Sequence, residues 1–309
     1  MSGYDVLVAG EAYCDLIFAG LDAQPRAGDE VIAQSLTVRP GGCYNMALGL
    51  TRLGIKTAWA CDFGNDIFSR LVLDHAKVDG IDPITFRQLG HDAPMVSAAF
   101  TDSRDRGFIT YRGHAINAPD IATIDATTPR WLLQSFRHSR GWLDFIRATK
   151  AAGVKIFGDC SGDGATLASA DVREFVELCD VFSPNDTEAL ILTGAGTVEA
   201  ALARLTALCP VVLIKRGSNG VVAMFEGHRY EETAPAVAVV DTVGAGDAFA
   251  AAYLAATIWN LPFVDCLTMA VACGSLSTTG PGSSASPTAP ELKAFVAQLP
   301  PRVSTAVSA

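Results

Sequence analysis

Apolar and polar positions along this chain fall into two rhythms. Short apolar or β-branched runs predict strands at residues 4–10 (YDVLVAG), 57–61 (TAWAC), 83–89 (PITFRQL), 154–157, 181–183, 209–215 (CPVVLIK), 221–225 and 236–240 (AVAVV), with a weaker signal around Trp131. Helical spacing follows most of them: 43–53, with apolar residues at 46, 50 and 53, then 67–80, 141–152, 188–194, 248–259 and 261–274. Such strand–helix alternation predicts an α/β fold with a mainly parallel sheet, in one domain spanning residues 1–309. Alternating pieces at about 12–40 (LIFAG, EVIAQSLTV) and 92–116 (PMVSAAFTD, GFITYRGHA) do not fit that rhythm. The second pair flanks a polar turn, Ser103 to Arg106, and reads as a hairpin, so these two segments predict a small separate antiparallel sheet. Residues 278–287 form the richest turn segment, and 300–309 read as a frayed tail.

The densest chemistry lies at 236–259, which reads strand, glycine turn, helix. The first N–H groups of a helix have no partner within it, and its dipole adds positive potential, so an anion is favoured there. Gly244 and Gly246 let the backbone approach that anion. Asp247 opens the helix. By itself it is a first-turn carboxylate; beside a bound phosphate, it is a base placed to take a proton from an attacking nucleophile.

The stretch Asp241-Thr-Val-Gly-Ala-Gly-Asp247-Ala-Phe-Ala-Ala-Ala-Tyr-Leu254 resembles the second signature of the ribokinase-like, or PfkB, carbohydrate kinases. Gly41-Gly-Cys-Tyr-Asn45-Met-Ala-Leu-Gly-Leu-Thr-Arg-Leu-Gly54 resembles the first, together with Gly64, and departs from it at Cys43, where a smaller residue is usual. The resemblance implies a three-layer sandwich with a β lid, and ATP-dependent phosphorylation of a sugar hydroxyl. It makes Asp247 the catalytic base, with the backbone of Gly244, Ala245 and Gly246 as the hole for the γ-phosphate. Asp15, Gly41, Gly42 and Asn45 would contact the sugar. Asn185 and Glu188, spaced Asn-x-x-Glu, would organise Mg²⁺ through water, as suits a strongly hydrated cation. Lys215 and the turn glycines Gly217 and Gly220 would lie along the nucleotide, and Asp241 is a candidate for a monovalent cation such as K⁺. The lid, built from the two alternating segments, would exclude water and pair two subunits into a homodimer. Asp159, Ser161 and Asp163 stand where some fructokinase and ketodeoxygluconate kinase relatives carry Asp-x-Asn-x-Arg; only the first position agrees.

Composition narrows the partners. A net charge of −10 and a pI near 4.9 disfavour nucleic acid and acidic membrane surfaces. The N-terminus lacks a basic region and reads as no signal peptide, and no apolar run reaches the length of a membrane span. Eight cysteines without a Cys-x-x-Cys pair read as small buried side chains of a reduced, cytoplasmic protein. A dinucleotide oxidoreductase would need Gly-x-Gly-x-x-Gly after a strand, whereas residues 244–249 read Gly-Ala-Gly-Asp-Ala-Phe. The P-loop pattern is absent too. Two alternatives stay open: a non-catalytic small-molecule-binding protein of the same fold, and a nucleoside kinase whose base would stack on Phe100, Phe108 or Tyr111.

Overall fold

In the computed structural model, which describes residues 3–102, 106–137, 139–160, 164–300 and 307–308, the first element is β1 (Val6–Ala9), buried throughout. β2 (Ala12–Leu21) and β3 (Ser35–Gly42) leave the main sheet, and α1 (Cys43–Arg52) and β4 (Thr57–Phe63) return to it. Then come α2 (Ile67–Val78), β5 (Phe86–Gln88), the hairpin β6 (Met95–Asp102) and β7 (Arg106–Arg112), α3 (Ala122–Thr127), β8 (Trp131–Ser135), α4 (Arg140–Ala151) and β9 (Lys155–Asp159). The second half carries α5 (Ala170–Leu178), β10 (Val181–Ser183), α6 (Asp186–Thr193), α7 (Val198–Thr206), β11 (Val211–Lys215), β12 (Val221–Phe225) and β13 (His228–Glu232). It closes with α8 (Ala245–Ile258), α9 (Phe263–Ser277), α10 (Ala289–Val296) and β14 (Val307–Ser308).

The main sheet runs β14-β13-β12-β11-β10-β9-β8-β1-β4-β5, parallel from β11 to β5 and antiparallel from β11 outward. Because side chains alternate across a strand, Val8, Leu133, Phe157 and Leu213 pack under α1, α8 and α9, whereas Leu7, Leu132, Ile156 and Val212 pack under α4, α5 and α7. Three layers result, as expected of a ribokinase-like α/β sandwich. α8 is apolar on all sides and buried from Ala248 to Ala256. Its alanines let α1 come close: a Cβ on Gly49 would stand 2.9 Å from that of Ala251. That closeness brings the N-termini of both helices to one place.

A second sheet of order β3-β2-β6-β7 is formed by the two alternating segments, its central pair β2 and β6 running parallel. It lies over the carboxyl ends of the main strands, where ligands of open α/β sheets collect. Ile17 of β2 reaches the loop after α9: a side chain on Gly282 would meet its Cδ1 at 4.0 Å.

The expected strand at 236–240 does not form: Val239 and Val240 are 61% and 64% exposed. β-branched residues favour extended backbone, but a strand also needs a partner, and β13 is flanked by β12 and β14. The segment instead meets the loop after α9, where Val240 N–H donates to the Thr278 carbonyl at 2.7 Å. At 30–34 the alternation also misleads, since β3 starts only at Ser35 and Ile32 is exposed. At 83–85 Pro83 opens a 3₁₀ turn capped by Asp82, delaying β5 to Phe86. The turn residues 103–105, Ser161 and Asp163, and most of the tail lie outside the described residues. Seven of the eight cysteines are buried as free thiols. No single helix among the described residues is long and apolar enough to cross a membrane.

Candidate active site

The turn before α8 holds the centre. Gly244 adopts φ 80°, a left-handed conformation that turns the chain into the helix. Ala245 N–H already reaches back to the Thr242 carbonyl at 3.4 Å, which leaves Gly246 and Asp247 in the first turn, where no preceding helical carbonyl serves their N–H groups. Asp241 fixes this turn. Its carboxylate accepts from Val243 N–H at 2.9 Å and from Gly282 N–H at 2.7 Å, tying the turn to the loop after α9.

Asp247 Oδ2 accepts from Asn45 Nδ2 at 3.1 Å, so the first turns of α1 and α8 meet side chain to side chain. Asn45 is buried, and among the described residues its Oδ1 has no hydrogen-bond partner. A buried acceptor without a partner is costly unless a ligand satisfies it. Burial pushes the Asp247 carboxyl up to about 7; the Asp159 and Asp15 charges push the same way, against Asn45 and Lys215.

On the second sheet, Asp15 of β2 lies over Gly41 of β3. A Cβ on Gly41 would stand 1.8 Å from Asp15 Oδ2, so only glycine leaves the carboxylate its place. Burial, helped by the Asp241 charge, pushes Asp15 up to about 6. Gly42, at φ 66°, turns the chain from β3 into α1. Cys43 fits because Gly10 has no side chain: a Cβ there would come within 2.4 Å of its Sγ. Burial pushes that thiol well up, so it stays protonated. Gly41→Ala should therefore displace Asp15 and raise the KM for the acceptor substrate about 10- to 100-fold, the worth of one charged hydrogen bond, with the melting temperature little changed. Steady-state kinetics and a thermal melt check this together.

On the other side, Lys215 ends β11 with its Nζ 2.8 Å from Asp159 Oδ1. Burial, the largest single influence, pulls the ammonium pKa down, but the Asp159 charge and hydrogen bond, with the Glu188 and Asp247 charges, together outweigh it and hold it above the ordinary lysine value. The same Nζ would lie 3.4 Å from a Cβ on Gly246, which brings Lys215 to the α8 turn. Asn185 and Glu188 form a reciprocal capping box: Asn185 Oδ1 accepts from Glu188 N–H at 2.8 Å and Glu188 Oε2 from Asn185 N–H at 2.7 Å. An isolated bridge pairs Asn185 with Lys215, setting the start of α6 beside the end of β11. Gly217 and Gly220, with φ 54° and 79°, shape the turn after Lys215; Gly217 is exposed, and a Cβ on Gly220 would strike the Glu232 carbonyl at 1.9 Å.

The fold thus gathers Asp15, Gly41, Asn45, Asp241, Gly246, Asp247 and Lys215, and sets Asn185 and Glu188 next to them. Residues 4–290 match the profile of the pfkB family carbohydrate kinases. The chain belongs to that family. It is similar to ribokinase of Arabidopsis thaliana, at 27% identity over 95% of this chain and 80% of that one, and to fructokinase of Vibrio alginolyticus, at 28% identity over 95% and 99%. A solved structure of the Arabidopsis ribokinase with ribose and ATP shares the fold, with a TM-score of 0.83 at 23% identity over 96% of this chain and 99% of that one.

Two pairings in this carbohydrate kinase escaped the sequence reading. Asp159 stood out only as part of a broken motif, and its partner Lys215 lies 56 positions away. Glu11 and Arg137, at the ends of β1 and β8, form a largely buried ion pair, with Arg137 Nη2 at 2.9 and 2.7 Å from the two carboxylate oxygens. Asp159 and Lys215 were each readable alone but not as a pair, and a charged residue just past a strand end was all that Glu11 and Arg137 offered.

Proposed function

We propose that this carbohydrate kinase transfers the γ-phosphoryl group of ATP to a hydroxyl of a small sugar or sugar-derived alcohol, with Asp247 as general base. The observation that carries the reading is Asp247 itself. A carboxylate lifted to about 7 sits at the mouth of a helix, hydrogen-bonded to an asparagine whose other polar atom awaits a partner. Asn45 and Asp15 would orient the sugar. The hydroxyl gives its proton to Asp247, its oxygen bonds to the γ-phosphorus, and the bond from phosphorus to the β–γ bridging oxygen breaks to release ADP. The Gly246 and Asp247 N–H groups, with Lys215, stabilise charge on the moving group, and the lid keeps water out.

Glu188, oriented by its capping box, and Asn185 supply the oxygen donors a hydrated divalent cation takes. When bound, Mg²⁺ would neutralise phosphate charge during transfer. Asp241 would hold K⁺ together with carbonyls of the loop after α9. Gly217 and Gly220 would line the nucleotide. The exposed apolar residues Leu36, Ile109 and Tyr111, on the lid face opposite Asp15, support pairing of two lids in a homodimer. Free thiols support a cytoplasmic location.

A sugar is favoured over a nucleoside by the lid itself. In the strand register only Phe108 shares the Asp15 face; Phe100 and Tyr111 point to the other. The test is Mg²⁺-dependent ADP release from ATP across aldoses, ketoses, sugar acids and nucleosides. One sugar class should stimulate release strongly. A nucleoside as best substrate would redirect the assignment, and ATP binding without any turnover would favour a binding protein.

A further inference from the structure

We propose that Asp159 is a positioning residue for phosphoryl transfer, holding the Lys215 ammonium against the Gly246 turn so that it meets the transferring group as a fixed charge. The inference rests on the kinase reading above. It starts from two strand ends. In the parallel register Ser135, Asp159 and Ser183 stand side by side on β8, β9 and β10, and Asn185 and Lys215 follow on the same face of the sheet. This is the face under α8, and so the polar ends of these strands form a floor beneath the turn that carries Asp247.

On that floor Asp159 and Lys215 form an ion pair whose side chains are only 9% and 15% exposed. A buried pair of this kind is a poor source of stability, since desolvation of both charges roughly cancels their attraction. It is better explained by what it fixes. Lysine carries its charge on a long flexible stem, and an unanchored ammonium at the end of β11 would sample many positions. The Asp159 carboxylate removes that freedom and leaves the ammonium beside Gly246, 3.4 Å from where a Cβ on that residue would stand. Transfer through a loose transition state relies on charges already in position, so this anchoring acts on rate rather than on sugar affinity. Ser183 Oγ, fully buried next to Asp159 and without a hydrogen-bond partner among the described residues, marks the same floor as polar without a stabilising use.

The test is a double-mutant cycle on the full chain, with ATP, Mg²⁺ and the best sugar of the panel. Asp159→Asn, which keeps the shape, should lower kcat about 10- to 100-fold while the sugar KM stays within about threefold. Lys215→Met should do the same. The double variant should lose no more than the worse single, because without the ammonium there is nothing left to position. Where Asp159→Asn does not fold in a thermal melt, Asp159→Glu asks the same question: the longer side chain displaces the ammonium and lowers kcat with the sugar KM unchanged. Wild-type kcat in the folded Asp159 variant, or losses that multiply in the double, would overturn the proposal while wild-type turnover leaves the kinase reading standing. Absence of turnover in the wild type overturns both.

Discussion

Asp247→Asn should lower kcat by about 10²- to 10⁴-fold, the usual worth of a positioned base, and leave the protein more heat-stable than before. The asparagine keeps the shape and can still pair with Asn45, but it cannot take the hydroxyl proton. The gain in stability follows from linkage. The folded-state pKa of Asp247, raised from 3.8 to about 7, means that the folded protein holds a proton which the unfolded chain has released. The associated stability is fully present below pH 3.8 and is lost as the pH rises through about 7, so at pH 8 the ionised group is a burden that the amide removes. A rise of a few degrees in Tm at pH 8, together with collapsed kcat, separates loss of a base from loss of fold.

The second large effect is on pH. Only ionised Asp247 can accept the proton, so kcat/KM should fall on the acid side with an apparent pKa of about 7. At two pH units below that value, protonation of Asp247 alone puts the rate about 100-fold under its plateau. Burial is the first cause of the shift, the Asp159 carboxylate on β9 and Asp15 on the lid add to it, and Asn45 and Lys215 oppose it. Asp15, pushed up to about 6, protonates next and should steepen the fall. The absence of an acid limb above pH 5 would show that Asp247 keeps an ordinary carboxylate pKa in the ATP-bound enzyme before the sugar binds. A profile of kcat/KM for the sugar between pH 5 and 9 under saturating ATP checks both, and a rate that stays on its plateau down to pH 5 is the contradicting result.

The layered fold was legible because its signals were local. Strand and helix periods alternate, and the Ala-rich run at 248–256 is apolar on all sides, which is how a helix packed in a core reads. The small sheet was legible too, through its period-two pieces. Errors arose where a residue's preference was right and its surroundings decided otherwise. Val239 and Val240 favour extended backbone but find no strand to pair with, and Pro83 suits a turn before it suits a strand. At the site, the glycine turn and Asp247 were readable because a helix start beside glycines has one electrostatic character. Asn45 was readable as a polar helix start and, by resemblance, as a sugar contact; its bond to Asp247 was not, since it spans 202 positions and depends on how closely α1 and α8 pack. The Asp159–Lys215 pair is of the same kind, since nothing at either strand end names the other.

The central claim is that Asp247 takes the proton of the attacking hydroxyl. The most direct measurement is a single-turnover transfer of labelled γ-phosphoryl from enzyme-bound ATP to the best sugar at pH 8, in the wild type and in Asp247→Asn, with both ligand affinities measured alongside. Transfer slowed by about 10²- to 10⁴-fold with ATP and sugar affinities retained is the predicted result. Transfer at the wild-type rate in the variant would contradict it.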